Sequence, residues 1–221
     1  MTKKVSSFPL ESHKIFTKEK LQYPFYVLGH PVDGFYEIRH RERGSVVIAL
    51  IILFLFSASY TINRQFASFI VNNVYPRSID SIKELLGVAM LFFLFCVANW
   101  SITCLMEGEG RLKDIITVTG YAMLPMVLVI IPATIFSQVI AANEEAFYYL
   151  IMNACYLYFF ILLLTGIMTV HNFTLGKTLL TLILTVGAML IIIFLALLMY
   201  SLVDQVFGFF GSIYTELLFR T

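Results

Sequence analysis

The residues that most often do chemistry in membrane enzymes are present here without the spacing that such enzymes need. The chain has four histidines, His13, His30, His40 and His171, and no HExxH motif that would place zinc ligands and a base on one helix face. The Glu144–Glu145 pair has no Arg in the next turn, and no long apolar run contains a His that could serve a serine nucleophile. The sequence therefore predicts a non-enzymatic protein with no metal site and no cofactor.

A short acidic segment with alternating glycines offers a second candidate, a cation site. Glu107 and Glu109 alternate with glycines that permit a tight turn with positive φ. Two carboxylates without further ligands make a weak cation site. Asp114 is predicted to begin the next helix, where an anion suits the helix dipole, and Lys113 is predicted to hold the turn at the membrane surface. The segment is interpreted as a turn.

Uncharged polar residues inside apolar runs leave two interpretations open. Asn99, Tyr121 and Asn153 could bond to neighbouring helices, which contributes on the order of 1 kcal/mol per contact. Alternatively, together with Pro125, they could surround a polar path for a transported substrate.

The third apolar run contains helix-disrupting residues. Pro125 and Pro132 each remove a helix hydrogen bond, and Gly120 thins the helix one turn earlier. The seven-residue spacing predicts that both prolines lie on one face. This run is predicted either to pack tightly at the centre of the bundle or to act as a hinge.

The elements that must position these residues are predicted from hydropathy. The chain is 59% hydrophobic and 13% charged, against about 25% charged in soluble domains. Spanning a bilayer takes about 20 apolar residues, and such runs satisfy their backbone as helices. We predict an all-α membrane protein with five transmembrane helices, at residues 45–62, 85–106, 115–141, 146–168 and 178–203.

The basic residues predict the orientation of these spans. Eleven of the fifteen Lys and Arg fall in the N-terminal segment and in the turns after the second and fourth spans. Because basic flanks stay in the cytoplasm, the N-terminus is predicted to be cytoplasmic and the C-terminus outside. The predicted location is a cytoplasmic membrane.

The flanking segments divide the chain into three predicted units. Residues 1–44 form a cytoplasmic segment, loose over 1–22, in which Phe35, Tyr36 and Ile38 either lie on lipid as an interfacial helix or belong to an ordinary basic anchor. Residues 45–203 form the transmembrane domain, and residues 204–221 an interfacial tail. Within residues 63–84, a helical spacing predicts a short outer-surface helix with Phe66, Phe69, Ile70 and Val74, ending near Pro76. The three cysteines are predicted to be unpaired.

The segment "EGEGRLKDIITVTGYAMLP", residues 107–125, together with Trp100 before it, resembles the Yip domain family of five-span membrane proteins, in particular its bacterial-type members. His171 and Lys177 in the turn "GIMTVHNFTLGKT", and residues 31–35 before the first span, are similar to the same family. The resemblance covers about residues 30–200 and implies a cytoplasmic N-terminus. The Asp-Leu-x-Gly-Pro pattern of the eukaryotic branch, which contacts GTPases in vesicle traffic, is replaced here by "HPVDGF".

Bacterial-type members of this family are treated as proteins that assemble with others. We therefore predict a scaffold or accessory subunit that acts through its cytoplasmic face, residues 23–44, 107–114 and 171–177. The expected partners are membrane lipids and other membrane proteins, including a transporter, and not nucleic acid. The alternative is a small transporter or channel component. The candidate interaction and structural residues are Pro31, Phe35, Asn99, Trp100, Glu107, Glu109, Lys113, Asp114, Gly120, Tyr121, Pro125, Pro132, Asn153, His171 and Lys177.

Overall fold

A computed structural model describes residues 18–72 and 79–219. This part of the chain is helical and contains no strand. Its α-helices are α1 (Lys18–Gly29), α2 (Pro31–Arg41), α3 (Val46–Phe66), α4 (Ser81–Leu105), α5 (Leu112–Ala122), α6 (Leu124–Ser137), α7 (Glu145–His171) and α8 (Leu175–Phe219). A short 3₁₀ helix, Ala142–Glu144, precedes α7.

Five stretches are long and apolar enough to cross a membrane: α3, α4, α5 with α6, α7 and α8. The predicted all-α membrane fold with five spans is confirmed. Each span starts at the end of the bundle where the preceding one stops, so α2, the α4–α5 loop and the α7–α8 turn share one end. We call this the α2 end.

The third span is divided into two helices at Met123. Pro125 has no N–H to continue the ladder, and Met123 instead donates its N–H to Gly120 O at 3.2 Å. Both prolines lie in α6, seven residues apart, so they share one side of that helix, but they differ in burial. Pro125 is buried at the start of α6, whereas Pro132 is exposed further along the same helix. The buried side of α6 continues along the helix through Ile130, Ala133, Thr134 and Ser137, and Pro132 lies outside it.

The N-terminal segment is a helical hairpin that packs on the bundle. Phe35 is 0% exposed and Ile38 is 3% exposed. Of the two alternatives for this segment, the interfacial helix with Phe35 and Ile38 on lipid is therefore wrong, because the apolar face of α2 is covered by α7 and α5. Tyr36, on the opposite face, is 52% exposed. The predicted loose segment 1–22 is helical from Lys18, and residues 1–17 lie outside the described residues.

The predicted outer-surface helix is absent from the described part of residues 63–84. Phe66 is the last residue of α3, and the following residues form turns. The extra turn of α3 is held by Asn63, whose side chain donates to the hydroxyls of Thr134 at 2.8 Å and Tyr148 at 2.9 Å. Val74 and Pro76 lie outside the described residues.

Helix α8 is 45 residues long and has no break at residue 204. At 1.5 Å per residue it extends about 68 Å, roughly twice the ~30 Å hydrocarbon core. The predicted separate tail is instead the continuation of α8, because no Pro interrupts the segment and two isolated glycines do not stop a helix. Its first third packs on α4 through buried Thr178, Thr181 and Thr185.

Helix α5 lies at the centre of the bundle, as predicted for the third span. Its residues Val118, Tyr121 and Ala122 belong to the main apolar core. A Cβ at Gly120 would lie 2.7 Å from the Cβ of Ala49, so the glycine permits close contact between α5 and α3. A Cβ at Gly166 would overlap the side chain of Val118, so α7 also approaches α5 closely.

Candidate functional site: the polar face at the α2 end

The loop between α4 and α5 wraps around His171. The backbone N–H of Gly110 donates to Nδ1 of His171 at 3.1 Å, and the imidazole is 1% exposed. The ring also stacks on Phe173, with centroids 5.4 Å apart. Because Nδ1 accepts, the neutral ring carries its proton on Nε2, which has no hydrogen-bond partner among the described residues.

The glycines of this loop have a different role from the predicted one. No described glycine has positive φ, and it is Glu107 that adopts φ 59. Instead, a Cβ at Gly108 would lie 2.6 Å from Nδ1 of His171, and one at Gly110 would lie 2.5 Å from Cε1. The predicted conformational reason is therefore wrong. The glycines are required by their close approach to the imidazole.

Asp114 connects the loop to α2. Its Oδ2 accepts from the backbone N–H of Arg111 at 3.3 Å and from Arg111 Nε at 3.1 Å, which ties the carboxylate to the first turn of α5. Arg39 of α2 lies 3.7 Å from the same oxygen and donates to Glu109 O at 2.6 Å. The Asp114 side chain is 5% exposed, so this ion pair is shielded from water. Arg39 therefore holds three elements together.

Glu42 extends the network to the surface. This residue ends α2 in a left-handed conformation, φ 50. Its Oε1 accepts from Lys113 Nζ at 3.0 Å and from Arg111 Nη2 at 3.2 Å. The hydrogen bond from Lys113, with the charge of that ammonium, lowers the pKa of Glu42. These contacts therefore favour the folded state above the carboxyl's unfolded-state pKa and are lost as pH falls; exposure makes them weak.

Two tyrosines fix the hairpin and the first span below this face. The Tyr121 hydroxyl accepts from the backbone N–H of Ser45 at 3.0 Å, and the Tyr23 hydroxyl donates to Gly34 O at 2.7 Å. Burial raises the pKa of Tyr23, so its hydroxyl stays protonated at neutral pH. Tyr121 therefore links α5 to the residue that precedes α3.

The structure brings together several sequence-predicted residues at the α2 end. Phe35, Asp114 and His171 are buried there, whereas Glu107, Glu109 and Lys113 are exposed. Lys177 lies with its Nζ 4.2 Å from the centroid of the Phe173 ring. Pro31 is the first residue of α2 and is half-buried.

Other predicted residues lie elsewhere. Trp100 is 41% exposed, and Pro132 and Asn153 face outward on α6 and α7. Asn99 is fully buried between α4 and α8, where its Nδ2 donates to Thr185 Oγ1 at 3.1 Å. The structure thus gives Asn99 and Tyr121 helix-linking contacts, and it does not bring Asn99, Tyr121, Asn153 and Pro125 into one path.

Sequence reasoning missed Arg39, Glu42 and Gly166. Arg39 was counted only as a basic flank, and its partner Asp114 is 75 positions away along the chain. The signal in the sequence that could have identified it is its position one helical turn after Phe35. Among the described residues, no group of three or more His, Cys, Asp and Glu could hold a metal ion.

Comparison with known proteins identifies one family. The family model described as the Yip1 domain matches residues 25–214, which is most of the chain. The match includes α2, the loop between α4 and α5, the first four spans and the fifth span as far as residue 214. No curated protein and no solved structure matches the chain.

Proposed function

The chain belongs to the Yip1 domain family, and from that premise we propose that it is a non-enzymatic membrane scaffold or accessory subunit. It binds other membrane proteins, including a transporter, through the polar face at the α2 end. We place it in a bacterial cytoplasmic membrane with this face in the cytoplasm, in keeping with the excess of Lys and Arg in the segments that meet there.

The observation that supports this proposal is that a buried ion pair joins the elements whose exposed side chains carry charge at the α2 end. Arg39 and Asp114 lock α2, the loop and α5 below the surface. Above them, the exposed fractions of the side chains are 64% for Arg41, 55% for Arg43 and 50% for Lys113. A fixed surface of mixed charge loses little conformational entropy on binding and selects partners by charge complementarity.

The test is purification of tagged full-length chain in mild detergent, followed by mass measurement of the intact complex. We expect the wild-type chain to be recovered with a membrane-protein partner in a fixed ratio. Reversing two exposed charges of the α2 end, in the double variant Glu107→Lys and Glu109→Lys, should release that partner.

The matched control is Glu145→Lys, which reverses an exposed acid at the opposite end of the bundle. This variant should retain the partner. Recovery of the wild-type chain only as a free monomer would overturn the subunit proposal. Equal loss in the control would show that the α2 end is not the binding face.

A further inference from the structure

An apolar groove of about 510 Å³ lies between α3, α4, α5 and α7. Ligand pockets have volumes of about 300–1,000 Å³. Its walls are mostly aromatic and aliphatic, formed by Phe56, Val88, Phe92, Phe95, Phe159 and Leu163. On the α4 side its rim is exposed, at Gly87 and Leu91, so the groove opens toward the surrounding lipid.

The groove has the depth of one leaflet. Its α4 wall runs from Glu84 to Phe95, which corresponds to about 17 Å of helix. The hydrocarbon core is about 30 Å thick, so this length is close to half of it. At the inner end, the Met123 break and Thr119 form the floor. Thr119 is 2% exposed, and its hydroxyl lies beside the Cys96 thiol and has no nitrogen or oxygen partner in the described part of the chain.

The outer end of the groove carries a pair of opposite charges. Glu84 lines the mouth and forms an ion pair with Arg64 at 2.5 Å. The Arg64 guanidinium also lies 5.9 Å from the centroid of the Tyr60 ring, which lines the groove. Both charged side chains keep water access, with exposed fractions of 30% for Arg64 and 20% for Glu84. A guanidinium can bind a phosphodiester, and a carboxylate can bind an ammonium.

We propose that this groove binds one acyl chain of a zwitterionic phospholipid with a primary-amine headgroup, from the leaflet opposite the α2 end. The phosphate of the lipid lies at Arg64 and its amine at Glu84. Its acyl chain runs along the aromatic wall to Thr119. This site lies at the other end of the bundle from the α2 face and does not depend on the function proposed above.

The test is lipid binding to the delipidated full-length chain in detergent, measured by native mass spectrometry with a palmitoyl-oleoyl phosphatidylethanolamine probe. A Cβ at Gly87 meets no atom within 4 Å, so Gly87→Phe starts a large side chain at the rim of the groove with no clash at its Cβ. We expect one tightly held lipid on the wild type and roughly tenfold weaker binding by Gly87→Phe, equivalent to ~1.4 kcal/mol.

The matched control is Gly187→Phe on α8, another helical glycine with open space around it. It should bind the lipid as the wild type does. Leu91→Trp obstructs the same rim from a second position. It replaces Gly87→Phe in the experiment if circular dichroism shows that Gly87→Phe is poorly folded. Absence of a bound lipid on the wild type, or unchanged binding by folded groove variants, would overturn the proposal.

A second experiment tests the headgroup by comparing the binding of phosphatidylethanolamine with that of phosphatidylglycerol, which has no amine. The wild type should prefer the amine-bearing lipid. The Glu84→Gln variant should lose that preference while still binding the acyl chain of either lipid. If the wild type binds both lipids equally, the assignment of the amine to Glu84 is wrong.

Discussion

Gly110 lies against the imidazole of His171, where a side chain would have no room. A Cβ would lie 2.5 Å from Cε1 of the ring, and the ring cannot move away because it is held between Gly110 and Phe173. We expect Gly110→Ala to lower the free energy of unfolding by about 1–3 kcal/mol, the typical cost of overpacking. Thermal unfolding in one detergent measures this.

The control for this prediction is Gly187→Ala, which adds the same methyl group where no atom lies within 4 Å. Ala favours helix over Gly by about 1 kcal/mol, so this variant should melt no lower than the wild type. A melting temperature for Gly110→Ala equal to that of the wild type would contradict the close contact with His171.

Arg39 has a second residue-scale role, as the connection between α2 and the loop. In Arg39→Gln, the buried Asp114 carboxylate loses one of its two cationic partners, and Glu109 O loses a charged donor. We expect a loss of about 1–3 kcal/mol in unfolding free energy, with faster proteolysis between α2 and α3. Thermal unfolding and timed proteolysis measure the two effects.

Arg41→Gln provides the comparison within the same helix. Arg41 pairs with Glu37 at the surface, and its side chain is 64% exposed, so its removal should cost about 0–1 kcal/mol. If the two variants are equally stable, the buried network around Asp114 does not hold α2 in place.

At the scale of the elements, α5 is the helix around which the bundle packs. Gly120 allows Ala49 of α3 to approach, with a Cβ position 2.7 Å from the Ala49 Cβ and 2.9 Å from its carbonyl oxygen. Because one of those atoms belongs to the backbone, the neighbour cannot rotate away. We expect Gly120→Leu to lower the melting temperature of the detergent-solubilised protein, at a cost of about 1–3 kcal/mol or more.

Gly187→Leu adds the same side chain on the exposed part of α8, where no clash arises. It should leave the melting profile close to that of the wild type. An unchanged profile for Gly120→Leu would mean that α3 and α5 do not pack through this glycine.

The spans were predictable because lipid imposes a simple rule on them. An uncharged run of about 20 residues must become a helix, and each of the five predicted runs did so. The break at Met123 follows from Pro125 in the same direct way. The sequence predicts a helix after residue 63, whereas α3 ends at Phe66 and turns follow. The partners of Asn63, Thr134 and Tyr148, are distant along the chain, so these contacts cannot be predicted from local sequence.

The candidate site was predictable only in part. Local chemistry identified the acidic glycine loop, and the resemblance to the Yip family identified His171, but neither revealed that Gly110 and His171 touch. The burial of Phe35 was missed for a related reason. An amphipathic helix beside a membrane has the same pattern whether its apolar face meets lipid or protein, and only the fold places α7 over it.

At the scale of the whole molecule, the bundle has two chemically different ends. The α2 end contains Arg39, Arg41, Arg43, Arg111 and Lys113, whereas the described residues of the opposite end include Arg64 and Lys83. This asymmetry predicts that the α2 end stays in the cytoplasm. The orientation can be tested with single cysteines at the two ends, Glu109→Cys and Lys83→Cys, because both positions are exposed.

The labelling background is favourable, since Cys96 and Cys155 are buried and Cys104→Ala removes the exposed thiol. A membrane-impermeant maleimide should label Lys83→Cys on intact cells and label Glu109→Cys only after the membrane is permeabilised. The reverse pattern would place the α2 end outside the cell. That result would show that the Lys and Arg excess does not hold this end in the cytoplasm, and it would remove the charge argument behind the proposed cytoplasmic scaffold. Partners of an external face would also come from a different pool of proteins.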